Sequence, residues 1–225
     1  KGAFISNEIN RQQIRNIAEI IQRVNPDVIL LNEFDSNDES HQSLKLFISQ
    51  YLAKSQQGEN AITYPYFYQG PVNTGVASGF DFNNDNKIGE LPNDAFGYGL
   101  FSGHFGMALL SKYPIVKDKI RTFQLFKWRD MPNAMMPINP ETKTSWYNEK
   151  AWNNFRLSSK SHWDIPLNVN GEELHILASH PTPPVFDGPE DRNGKRNFDE
   201  IRFWIDYLTP TDASYIYDDN NNFGG

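Results

Sequence analysis

No cysteine occurs in the 225 residues. Disulfides, thiolate zinc sites and cysteine nucleophiles are therefore excluded. No apolar run approaches the roughly 20 residues that span a bilayer, and no signal-peptide pattern opens the chain. Positive charge is not in excess either: 28 acidic against 21 basic residues leave a net charge of −7. Such a surface repels nucleic acid and anionic membrane unless basic side chains cluster or metal ions intervene. There is no internal repeat, and low complexity is confined to the asparagine run Asn220-Asn221-Asn222. What the chain does have is apolar and aromatic content, 38% and 14%. That supports a core in one large α/β domain or two small ones.

The spacing of Ile14, Ile17, Ile21 and Val24, with Ala18 and Ile20 beside them, predicts an amphipathic helix closed by Asn25-Pro26. Val28 to Leu31 follows, too short for a helix and rich in branched residues, and it reads as a strand buried on both faces. Glu33 stands at its carboxyl end, where ligands gather in open α/β sheets; alternatively it opens a solvated loop. A second helix is expected from about Glu39 to Ala53, with Leu44, Phe47, Ile48, Tyr51 and Leu52 inward.

Residues 58–105 and 129–156 show little periodicity and read as long insertions. A structureless loop of that length is functional or tied down in a compact domain. Within the first lies Asp81-Phe82-Asn83-Asn84-Asp85-Asn86-Lys87-Ile88. Asp81, Asn83, Asp85 and then Lys87 place possible oxygen ligands at alternate positions, with Ile88 as an apolar anchor, like the opening of a calcium loop. Pro92 stands where the bidentate glutamate belongs and Asn86 where glycine does, so Glu90 or Asp94 would have to complete the shell. The other reading is an Asx-rich surface turn.

Gly106 to Ser111 reads as a buried strand, and Ile120 to Trp128 alternates well enough for another. Asn170-Gly171 is a strong hairpin signal between strands Trp163–Val169 and Glu173–Ser179. The second of these runs into His180-Pro181. A helix is expected from about Asn197 to Leu208, with Phe198, Ile201, Trp204, Ile205 and Leu208 inward.

A histidine such as His180 suits hydrogen bonding to phosphate, because its proton affinity lies near neutrality. His162 either shares a cleft with Lys160 or packs beside Trp163; His175 and His104 read mainly as structural, and His41 as solvated. Arg192, Lys195 and Arg196 either hold an anionic substrate, as arginine favours phosphate, or line a solvated loop. Tyr64, Tyr66, Tyr68, Trp128 and Trp146 could stack bases or fill the core under the long loops.

Taken in order, the helix, Pro26-Asp27-Val28-Ile29-Leu30-Leu31-Asn32-Glu33-Phe34, Gly106-Met107-Ala108-Leu109-Leu110-Ser111-Lys112-Tyr113-Pro114-Ile115 and Ala178-Ser179-His180-Pro181-Thr182-Pro183-Pro184 resemble the endonuclease/exonuclease/phosphatase superfamily. The Asp/Asn-rich loop and Ser159-Lys160-Ser161-His162-Trp163-Asp164 are most similar to its large secreted bacterial members. The resemblance implies an α/β fold, a four-layer α-β-β-α sandwich with two mixed β-sheets, here as one partial domain over residues 1–225. It implies a hydrolase of phosphodiester or phosphomonoester substrates, nucleic acid among them, that uses magnesium or manganese; structural calcium is the separate reading of the Asp81–Ile88 loop. Glu33 matches the metal-ligating glutamate and His180 the phosphate-bonding histidine. Lys160 falls near a phosphate-contacting cation, and His162, Arg192 and Arg196 are further candidates for holding substrate. The resemblance also implies an extracellular or periplasmic location. It implies further elements as well: an asparagine on a first strand, for which Asn7 and Asn10 lack the apolar setting, and an Asp-x-Asn strand and Asp-His pair beyond Gly225. The chain starts at Lys1 rather than Met, as expected of a processed product or fragment, and these 225 residues alone are expected to be inactive. The alternative from another class is a non-catalytic, calcium-stabilised binding or structural module on the same fold.

Overall fold

The first helix, α1 (Glu8–Val24), leads through Asn25 at φ 50° into β1 (Val28–Asn32). The computed structural model describes residues 8–36 and 40–225, and no side chain of residues 8–10. Asn7, the side chain of Asn10 and Glu39 therefore lie outside the described residues. Ile14, Ala18 and Ile21 are buried on α1, but Ile17, Ile20 and Val24 are exposed. The inward stripe is narrower than the sequence pattern predicts, because Gln22 occupies it too. That amide reaches the carbonyls of Leu52 and Lys54 at 2.9 and 2.8 Å. The second helix is α2 (Gln42–Phe47), continued by a π-helical turn over Ile48–Leu52, with Leu44, Phe47 and Leu52 buried.

Two three-stranded sheets follow. β1, β2 (Tyr66–Tyr68) and β3 (Met107–Ser111) take the order β1-β3-β2. β4 (Arg121–Thr122), β5 (His162–Val169) and β6 (Glu172–Ser179) take the order β4-β5-β6. Among the described residues every strand pair in these sheets is antiparallel, where the resemblance implied mixed sheets. β1 lies at a sheet edge and its apolar residues are only half-buried, which corrects the expectation of a strand buried on both faces. The fully buried strand is β3 at the sheet centre.

Period-two alternation divides the strands between two cores. Met107 and Leu109 of β3 meet Trp163, Ile165 and Leu167 of β5 and Ala178 of β6 between the sheets. Ala108 and Leu110 turn the other way, onto Ile14, Ala18, Ile21 and Leu44. Each of the leucine, isoleucine and methionine side chains among them, taken from water, contributes roughly 1.5–3 kcal/mol. A third cluster joins Phe123, Phe126, Trp128, Phe155 and Leu157 to Phe203 and Tyr207 of the last helix, α4 (Arg192–Tyr207). Helix, sheet, sheet and helix make an α/β sandwich.

Two expectations fail here. The strand from Ile120 to Trp128 shrinks to Arg121–Thr122, because Asp219 draws the chain out of the ladder. Its carboxylate accepts from Thr122 Oγ1, Gln124 N and Leu125 N at 2.6, 3.1 and 2.7 Å. On α4, Phe198, Ile201, Ile205 and Leu208 are exposed, and the buried face carries Arg196, Asp199, Glu200, Phe203 and Tyr207. The helix is turned away from its apolar pattern because the polar members of that face bind backbone groups beneath it.

The hairpin matches its signal: Asn170 and Gly171 take φ 56° and 95°, both positive as a type I′ turn demands, and Val169 pairs with Glu172. Residues 58–105 include β2 and are tied to the body through Asn73. Its side-chain amide donates to Gln124 O and Ser158 O at 2.7 and 2.8 Å, and its backbone N donates to Lys160 O at 2.8 Å. Residues 129–156 include a short helix, α3 (Glu149–Asn154).

Candidate functional site

Glu33 leaves the end of β1 with φ 58°, a conformation that non-glycine residues seldom adopt. The residue is exposed, and its carboxylate takes part in no hydrogen bond or ion pair among the described residues. Antiparallel pairing of β5 with β6 sets His162 opposite Ser179, so Lys160, just before β5, and His180, just after β6, emerge at the same end. The charges of these groups act on one another. Burial lowers the Lys160 pKa first of all, with Glu200 and Glu33 opposing that shift and Arg196 adding to it. His180 is lowered mainly by burial and then by Lys160, with Glu33 and Glu200 pulling the other way. Lys160 is only 7% exposed and has no ion pair within 4 Å among the described residues. His180 Nδ1 is buried without a hydrogen-bond partner. One carboxylate, one ammonium and one imidazole nitrogen, all unspent, therefore share a rim. Burying a polar group without a partner costs about 1–3 kcal/mol, so Lys160 and His180 Nδ1 are poor scaffolding and well suited to an anionic ligand, while exposed Glu33 suits a cation beside it.

The structure places the other candidates elsewhere. His162 is fully buried, which corrects its reading as a cleft residue. Its Nε2 bonds the Glu200 carbonyl at 2.8 Å, so that nitrogen carries the proton, and Ser158 Oγ donates to Nδ1 at 2.6 Å. Burial pulls its pKa down to about 4, and the ring is neutral at pH 7. Arg196 is corrected likewise. Its guanidinium donates to Leu157 O, Phe96 O and Arg156 O at 2.8, 2.6 and 3.0 Å and lies over the Phe155 ring, with no face left for substrate. Arg192 is paired with the buried carboxylate of Glu190 and leans on Trp146, so its charge is already met.

The calcium reading gains no support from the geometry. Asp81 accepts from Asp85 N and Asn86 N at 3.3 and 2.8 Å, and Asp85 accepts from Lys87 N at 2.9 Å and from Asn83 Nδ2 at 3.0 Å. Lys87 holds Glu90 in an ion pair, and Asp94 is spent on Phe82 N and Glu90 N. Ile88 is 72% exposed and anchors nothing. Asp81, Asn83, Asp85 and Lys87 form a closed Asx turn. Of the aromatic residues considered for base stacking, Tyr64, Trp128 and Trp146 bond inward, to Pro26 O, Asp199 and Phe82 O. Tyr68 packs edge-on against Trp163.

Among the described residues no three His, Asp or Glu side chains group closely enough to hold a metal ion. At the end of β1, Glu33 offers a free carboxylate. Magnesium keeps several waters and takes one or two carboxylates from a protein, so Glu33 fits a loosely held ion of that kind and not a caged one. Sequence reasoning missed Glu200, buried on α4, because it searched that helix for an apolar face. Its carboxylate accepts from Ser159 N and from Thr182 N, each at 2.6 Å. Helical spacing through Arg196, Glu200, Phe203 and Tyr207 was the available signal.

Residues 6–213 match the family model described as Endonuclease/Exonuclease/phosphatase family. A search of the curated proteins finds no match. No described helix is long and apolar enough to cross a membrane.

Proposed function

Because the chain belongs to the endonuclease/exonuclease/phosphatase family, whose members are in general phosphoester hydrolases that use divalent metals, we propose that it hydrolyses a phosphodiester or phosphomonoester at the rim of Glu33, Lys160 and His180. The observation that supports this reading is the convergence of three groups, each without a partner of its own, at one end of the sandwich. A phosphate group resists attack because its negative charge repels nucleophiles. When bound at Glu33, a magnesium ion would neutralise that charge and steady the leaving oxyanion. Lys160 meets the remaining charge from a site short of water, where an ammonium acts more strongly than in solvent. His180, kept neutral by burial, offers Nδ1 to a phosphate oxygen or to a water held beside it. These roles are proposals of the same reading.

The test is turnover of a chromogenic phosphodiester and a phosphomonoester by the full-length gene product that contains these residues, with magnesium, manganese or chelator. Turnover is expected with magnesium and not with chelator. Glu33→Gln, which keeps shape and removes charge, should lower both metal affinity and rate. His180→Ala should lower turnover on the order of 10²-fold or more, the scale of one positioned group, with metal affinity little changed. Turnover indifferent to chelator, or unchanged in both variants, would refute the reading. The negative surface, −7 overall, favours a small phosphoester over long nucleic acid. Comparison of a dinucleotide with duplex DNA at low and high salt checks that preference.

A further inference from the structure

Lys160 and His180 come from two different segments, and a single buried carboxylate holds both. Glu200, 1% exposed on α4, accepts from the backbone N of Ser159 through Oε1 and from that of Thr182 through Oε2, each at 2.6 Å. The first amide belongs to the residue before Lys160 and the second to the residue two after His180. Charge-assisted bonds of this length are about twice as strong as neutral ones. Around this staple the same helix makes two more attachments: Asn197 Nδ2 donates to Thr182 O at 2.7 Å, and the Glu200 carbonyl bonds His162 Nε2 at 2.8 Å. Ser159 Oγ donates directly to His180 O at 3.2 Å, so the two stapled segments also touch. A glycine completes the setting: a Cβ at Gly97 would collide with the Ser159 carbonyl, which packs the preceding loop against this segment.

We propose that Glu200 is a positioning residue: by binding the amides of Ser159 and Thr182 at once, it fixes the distance between Lys160 and His180 and thereby shapes the phosphate-binding rim. The proposal rests on the hydrolase reading for its kinetic consequence, but not for its binding consequence. A carboxylate is required because both partners are N–H donors. A glutamine of the same shape has one oxygen to accept with and turns an N–H₂ group toward the other amide. Freed from that clamp, Lys160 and His180 separate, and misplacement of about 1 Å can cost on the order of 10²-fold in rate.

The experiment compares Glu200→Gln and Glu200→Asp with Asp199→Asn. Asp199 is the neighbouring buried carboxylate, and it holds Trp128 Nε1 and Met135 N instead, each at 2.7 Å. Three measurements are made on the purified proteins: melting temperature, affinity for inorganic phosphate by calorimetry, and kcat and KM on the chromogenic ester that the wild type turns over best. Both E200Q and D199N should melt earlier. E200Q alone should weaken phosphate binding roughly tenfold and lower kcat more than it raises KM, and E200D should recover part of both losses. In a His180→Ala background, E200Q should cost much less in kcat than it does in the wild type, since it acts through that residue. Equal losses of phosphate affinity in E200Q and D199N, or no loss in E200Q, overturn the proposal, as does a wild type that binds no phosphate. A wild type that binds phosphate but hydrolyses no ester defeats the hydrolase reading, and the phosphate titration of the variants still decides this one.

Discussion

The rim at Glu33 and the loop from Asp81 to Asp94 are both rich in groups that could meet a ligand, yet they use them oppositely. In the loop, Asp81, Asp85 and Asp94 accept from neighbouring backbone amides, and Glu90 is matched by Lys87. At the rim, Glu33 and Lys160 have no ion-pair partner and His180 Nδ1 no hydrogen bond among the described residues. The loop puts its polar groups into its own conformation; the rim leaves them uncommitted, at a cost to folding met by the core around it. Acidic residues thus signal a binding site less by their number than by what remains of their bonding capacity once the chain has folded.

That contrast can be broken at four places. The largest effect is expected at Lys160. Lys160→Met should reduce turnover on the order of 10²–10³-fold, about 2.7–4 kcal/mol of transition-state stabilisation, yet raise the melting temperature, because a buried ammonium without an ion pair is removed. Kinetics and calorimetry on one sample check both signs, and a variant that is both slower and less stable would place Lys160 among the structural cations. His162 comes next. Its folded pKa of about 4 lies below the ordinary 6.5, so the unfolded chain binds more protons between those values. Stability is therefore full above about pH 6.5 and is lost as pH falls toward 4, on the order of 3 kcal/mol from this group. Denaturant melts across that range should show the slope, and His162→Gln should flatten it.

Asp219 offers a carboxylate even more fully committed than those of the loop. Asp219→Asn leaves at least one of Thr122 Oγ1, Gln124 N and Leu125 N poorly matched and should cost about 1–3 kcal/mol, with activity unchanged per folded molecule; urea melts and specific activity test it together. The smallest effect belongs to the Asx turn. Asp81→Asn with Asp85→Asn should cost about 1 kcal/mol or less, as exposed polar contacts do. Chelator and added calcium should leave the wild-type melting curve where it is. A calcium-dependent rise would move this loop into the same class as the rim.

Much of the frame was legible because it follows from pattern. β3 is apolar from Met107 to Leu110 and lies fully buried at a sheet centre, and Asn170-Gly171 specifies its hairpin through backbone conformation alone. Glu33 and His180 could be singled out since each ends a recognisable strand. What stayed hidden depended on partners distant in sequence. α4 carries two helical faces of similar period, one apolar and one charged. Choosing the buried one requires knowing that the amides of Ser159 and Thr182 and the carbonyls of Phe96 and Leu157 wait beneath it. The same holds for Arg196 and His162, whose chemistry suits a phosphate equally well but whose donors are taken by carbonyls. The short β4 depends on Asp219, nearly a hundred residues away.

The outward apolar stripe of α4, Phe198, Ile201, Ile205 and Leu208, also has a colloidal consequence. Together with Ile17, Ile20 and Val24 on α1 it gives each molecule adhesive lines on its outer helices. The opposing force between molecules in dilute solution is their shared charge of −7. That repulsion vanishes near the isoelectric point of about 5.2. Light scattering during a slow acid titration should therefore show clustering as pH approaches 5, most strongly in concentrated salt, which screens what charge is left and strengthens apolar contact. Purification and crystallisation are best kept above pH 7, and Ile201→Lys with Ile205→Glu would widen the working range without touching the buried face of the helix.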